Sequence, residues 1–72
     1  MSNYDEARDR LIGIMIEQGH FIPHGDLLED MGGHYLHRSD NFMLDHYIKD
    51  WLECLPSDER KEVMAEVKDN VN

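Results

Sequence analysis

Cysteine is nearly absent: Cys54 stands alone, so no disulfide can form within the chain. That scarcity fits a reducing, cytoplasmic setting. Long apolar runs are missing as well. The longest, Leu11 to Ile16, is interrupted by Gly13 and is far too short to span a bilayer. Met1-Ser2-Asn3-Tyr4 has no basic segment leading into an apolar one, so no secretory signal is expected. Positive charge is scarce beside negative charge. Seven Lys and Arg face sixteen Asp and Glu, a formal net charge of −9. An acidic surface of this density repels nucleic acid and anionic lipid, which argues against direct nucleic-acid or membrane binding and suits a basic protein partner. Plain solubility is the competing explanation.

Seventy-two residues allow one domain, taken as 1–72. A core of this size supplies only roughly 3–5 kcal/mol of net stability, and proteins this small commonly add a disulfide, a metal or a second copy of themselves. With disulfides excluded, a metal and a homodimer are left to consider.

The apolar residues recur with helical period nearly throughout, and no stretch alternates apolar and polar long enough to suggest a strand. The expectation is an all-α bundle of four helices, the second short, with no sheet. The first runs from about Asn3 to Gln18, with Asp5 and Glu6 in its first turn and Gly19 as its stop. Tyr4, Ala7, Leu11, Ile14 and Met15 share a face, with Ile12 and Ile16 on its shoulder. So wide an apolar arc belongs either to a central helix or to one with surplus apolar surface. The second is expected from Pro23 or His24 to Met31, between a first-turn proline and the Gly32-Gly33 pair, with Leu27, Leu28 and Met31 buried. The third runs from about Asp40 to Leu55, capped by Ser39 or Asp40 and ended by Pro56. Its Leu44, Tyr47, Ile48, Trp51, Leu52 and Leu55 converge on one side. The fourth follows Ser57 to about Asn70, with Val63, Met64, Val67 and Val71 as a narrow apolar strip.

Four of the five histidines fall between residues 20 and 40. His20, His24, His34 and His37 are of the right type for zinc, and pairs three or four apart can converge. Structural zinc sites are rich in cysteine thiolate, however, and the His20–His24 pair straddles Phe21-Ile22-Pro23, where the chain is expected to be extended. The favoured assignment is turn, capping and surface roles, with a histidine-ligated metal domain a distant third hypothesis. No cofactor is expected. Catalysis has no better footing: Cys54 lacks an evident base and orienting group, and Gly32-Gly33 lacks the spacing of a phosphate loop. An enzyme is not expected.

The most ordered charge feature is a stripe of carboxylates, Asp58, Glu59, Glu62, Glu66 and Asp69, along the fourth helix. Neighbours on one helix face lie about 5–6 Å apart, comparable to successive phosphates on a nucleic-acid strand. Asp45, Asp50 and Glu53 of the third helix would extend the stripe if the two helices lay side by side. A separate feature is apolar: Ile12, Ile16, Phe42 and Met43 are hard to bury in so small a bundle and would mark a homodimer seam or docking patch. The leading expectation is therefore a small inhibitor or modulator that binds a basic, nucleic-acid-handling protein through its acidic face as a nucleic-acid mimic. Short acidic chains without catalytic residues are common among phage and mobile-element proteins that block a host protein, an analogy from size and charge alone. The alternative is a docking or assembly protein that uses the apolar surface of helix one.

Overall fold

The computed structural model describes the backbone of residues 3–71 and the side chains of residues 5–68. The side chains of Tyr4, Asp69 and Val71, which the periodicity places on their helix faces, lie outside the described residues. Three helices and a small sheet follow one another as α1 (Asn3–Glu17), β1 (Ile22–His24), β2 (Leu27–Glu29), β3 (Tyr35–His37), α2 (Asn41–Cys54) and α3 (Ser57–Val71). The strands form an antiparallel meander in the order β1-β2-β3.

The all-α expectation is thus overturned: the segment read as a second helix is a β-hairpin. Gly25-Asp26 forms a two-residue loop between His24 and Leu27, which pair across it. Gly25 has a φ of +62° there, the conformation that a tight hairpin turn requires of a first-position glycine. Pro23, expected in a helical first turn, sits instead in β1. That strand is an edge, where a missing N–H breaks no essential ladder bond. The change of period re-sorts the side chains. A helix would bury Leu27, Leu28 and Met31 together, whereas the strand buries Leu28 and leaves Leu27 and Met31 exposed. Cross-strand pairing then sets Leu28 beside Leu36 of β3 on the inner face.

The β2–β3 turn is organised by Asp30. Its Oδ1 accepts from the backbone N–H groups of Gly32 and His34, at 2.9 and 2.8 Å. Helix ends follow the expected chemistry. Gly19, at φ +82°, closes α1 with bonds from Gly19 N to Ile16 O and from His20 N to Met15 O, the paired pattern of a glycine-terminated helix. The Asp40 side chain accepts from Met43 N at the start of α2, and Pro56 follows its end. The Arg60 guanidinium then covers that end, donating to the carbonyls of Leu52, Glu53 and Leu55.

α1 is the central helix. Its Leu11, Ile12, Ile14 and Met15 are buried against Phe21, Leu28 and Leu36 of the sheet region, Leu44, Ile48 and Trp51 of α2, and Val63 and Val67 of α3. The wide apolar arc is consumed by being sandwiched, since α3 packs chiefly on α1 and not beside α2. Leu28 and Leu44 are wholly inaccessible. Truncating either to alanine removes roughly 2–5 kcal/mol, as much as a domain this small holds in total. No helix among the described residues is long and apolar enough to cross a membrane.

Candidate functional site

The four candidate metal histidines are dispersed. His24 and His37 occupy the same row of the sheet's outer face, but Leu27 of the middle strand lies between them. Two strand spacings separate their backbones by roughly 10 Å. His24 Nε2 instead meets Glu29 Oε1 at 2.9 Å, and its ring lies edge-on to Tyr35. His37 Nδ1 is bonded to Ser39, backbone and side chain. His34 is exposed beside Asp30 at 3.6 Å. His20 faces Trp51, ring centroids 6.0 Å apart. Among the described residues no group of three or more His, Cys, Asp or Glu is placed to hold a metal.

The acidic residues divide according to which helix α1 reaches. Asp45 is engaged internally: Arg8 Nε and Nη2 donate to its two carboxylate oxygens at 2.7 and 3.1 Å, while Arg8 Nη1 donates to Asp5 at 2.9 Å. Arg8 is the one buried charged residue among those described. The Asp45 hydrogen bonds raise its pKa above the ordinary guanidinium value, against an opposing effect of desolvation. Glu66 is likewise engaged, by Arg10 of α1. Asp58, Glu59 and Glu62 of α3 and Asp50 and Glu53 of α2 are exposed, and no ion pair engages any of them among the described residues. Burial of Val63 and Val67 fixes the roll of α3. At about 100° per residue, Glu59, Glu62 and Glu66 then fall on one flank and Lys61 and Lys68 on the other. The short corner at Leu55-Pro56 brings Glu53, in the last turn of α2, close along the chain to Asp58 and Glu59 in the first turn of α3.

Of the apolar residues expected in surplus, Ile12 is in the core at 4% exposure, and Ile16 is half-buried against it. Among the described residues helix one therefore takes the first of its two alternatives, a central position between α2, α3 and the sheet, and not that of a helix with surplus apolar surface. Phe42 is 79% exposed and stacks on His46, and Met43 is at the edge of exposure. Ile22, Leu27 and Tyr35, on the outer face of the sheet, are also exposed, a surface that the helical reading of this segment could not reveal.

A concavity was invisible to sequence reasoning because three separate segments build it. A cleft of about 330 Å³ opens between Met15, His20 and Phe21 at the end of α1, Asp30, Met31 and Gly32 of the β2–β3 turn, and Tyr47, Asp50, Trp51 and Cys54 of α2. Tyr47 ties two of these walls together, its hydroxyl donating to Asp30 Oδ2 at 2.6 Å. That bond, followed by the backbone bond from His34, pulls the Asp30 carboxyl below its ordinary pKa, and the same bond raises the Tyr47 phenol above its own. The indole N–H of Trp51 is buried with no hydrogen-bond acceptor.

No known family matches this chain, and no curated protein or solved structure is significantly similar to it.

Proposed function

We propose that the chain is a non-enzymatic binding module that engages a basic, nucleic-acid-handling protein through the acidic surface formed by Asp50 and Glu53 of α2 and Asp58, Glu59 and Glu62 of α3. One observation carries this proposal. These carboxylates are exposed and without ion pairs among the described residues, on helices whose roll is fixed by buried side chains. Within each helix, carboxylates three or four residues apart have Cβ atoms about 5–6 Å from one another, a spacing that a phosphate-binding groove accommodates, although α2 and α3 do not lie side by side. Asp45 and Glu66 play a supporting part, because Arg8 and Arg10 already hold them.

Electrostatic recognition of this kind is steered at long range and weakens as salt rises. The test immobilises the chain and exposes it to a lysate at about 50 and about 500 mM salt, beside a Glu59→Lys/Glu62→Lys variant of unchanged helicity. Basic nucleic-acid-binding proteins should be retained by the unmodified chain at low salt, released at high salt and displaced by added duplex DNA. Retention that survives both charge reversal and high salt would refute the acidic surface as the interface.

A further inference from the structure

We propose that the cleft between α2 and the β2–β3 turn is the anchor slot of this interface, taking one apolar side chain from a basic segment of the partner. This rests on the proposed function and makes it more specific, since Asp50 belongs both to the acidic surface and to the cleft's rim.

The walls supply the apolar half of the argument. Met15, Phe21, Met31 and Trp51 line the cleft, and the flexible thioethers of two methionines adapt to the shape of an incoming group. Met31 is 78% exposed on the turn, where an occupant would cover it. At about 330 Å³ the cleft has room for an aromatic side chain.

Charge complementarity selects the occupant's flanks. The ionisable lining residues include Asp30 and Asp50, and neither lysine nor arginine lines the cleft. Asp30 is saturated by Tyr47 and two backbone N–H groups, so its charge acts on a visitor through space. Asp50, exposed and without an ion pair among the described residues, is the partner for a visiting Lys or Arg.

The chain carries its own reporters, Trp51 and Cys54 being its sole tryptophan and sole cysteine and both lining the cleft. The probe is the acetylated, amidated peptide Lys-Arg-Phe-Arg-Lys, titrated to millimolar concentration at low ionic strength, with Lys-Arg-Gly-Arg-Lys as its equally charged control. Binding is followed by peptide anisotropy, Trp51 emission excited at long wavelength, and the rate of Cys54 alkylation. The Phe peptide should shift Trp51 emission saturably, slow Cys54 alkylation, and bind about tenfold or more tighter than the Gly peptide, as burial of an aromatic side chain implies. Asp50→Lys, an exposed substitution checked by circular dichroism, should weaken the binding of both peptides and leave the Phe peptide its preference. Equal binding of both peptides with Trp51 and Cys54 unaffected would overturn the slot while leaving the acidic surface standing. A Trp51 response that persists in Glu59→Lys/Glu62→Lys, with unchanged affinity, would support the slot and remove the α3 carboxylates from the interface. No binding of either peptide would overturn the slot.

Discussion

Replacing Asp45 by leucine should destabilise the fold more than replacing its partner Arg8 by methionine, although both changes remove the same ion pair. The asymmetry follows from burial. The Arg8 side chain is 9% exposed and that of Asp45 is 40% exposed. Asp45→Leu leaves a buried guanidinium without its bidentate carboxylate, whereas Arg8→Met keeps an aliphatic stem in place and leaves a carboxylate that water can reach. Breaking a fully buried pair costs about 3–5 kcal/mol, and an exposed pair is worth about 0–1 kcal/mol. Interpolating, Asp45→Leu should cost about 2–3 kcal/mol and Arg8→Met about 1–1.5 kcal/mol. In a domain of this size each kcal/mol moves Tm by roughly 4–8 °C, so the difference is measurable by urea and thermal unfolding. The double variant should be less destabilised than the sum of the two, because it leaves no orphaned charge. Equal losses with strict additivity would show that the bidentate contact does not hold α1 to α2.

Two further predictions concern the turns. Asp30 is pulled below its ordinary pKa of 3.8 by Tyr47 and the turn backbone. Its contribution to stability is therefore complete above that unfolded value and is lost as pH falls through the lower folded one. Tyr47, raised above its ordinary 10.0 by the same bond, contributes below pH 10 and loses that contribution as pH rises through its folded value. Tyr47→Phe should flatten both the acid and the alkaline limb of a stability-against-pH curve, and unchanged limbs would refute the linkage. Among the glycines, Gly25→Ala should destabilise by about 1–2 kcal/mol. An added Cβ meets nothing within 4 Å there, so the cost is purely that of a positive φ. Gly13→Ala, inside α1 with room for a methyl, should instead stabilise by about 0.5–1 kcal/mol. Opposite signs in chemical denaturation check the pair, and a stabilising Gly25→Ala would contradict the hairpin geometry.

Much of the helical framework was legible because its signals are long or chemically specific. Gly19, Asp40 and Pro56 mark real helix ends, and the apolar face of α2 is buried as its period requires. The sheet was missed because each strand is three residues long, too short to establish alternation, while Leu27, Leu28 and Met31 happen to fit a helix. The decisive clue was Gly25-Asp26 between two extended pairs, a recognised hairpin loop set against a proline that also suits a helix start. The exposed state of Asp58, Glu59 and Glu62 followed from the helical wheel alone. The engagement of Asp45 and Glu66 did not, because it depends on which helices α1 touches. The cleft was beyond the sequence for the same reason, since its walls come from residues far apart along the chain.

The distribution of positive charge explains how an acidic chain without disulfides can hold together and still present a negative surface. Its four arginines, at positions 8, 10, 38 and 60, each cross-link two elements. Arg8 joins α1 to α2, and Arg10 joins α1 to α3. Arg38 ties the end of β3 to the carbonyl of Gly25 in the first hairpin, and Arg60 ties α3 to the end of α2. A planar guanidinium with several fixed donors suits this role better than a lysine ammonium. The three lysines, at 49, 61 and 68, are all exposed. The guanidinium groups are thus engaged in contacts within the chain, and exposed carboxylates are left in excess. Repulsion among those carboxylates opposes compaction, and a basic partner would relieve it. Thermal stability should for that reason rise with moderate salt in the free chain, because screening weakens the exposed repulsions more than it weakens the partly buried Arg8–Asp45 contact. A Tm that falls steadily with added salt would instead mean that exposed ion pairs dominate, and that the outer charge is not frustrated.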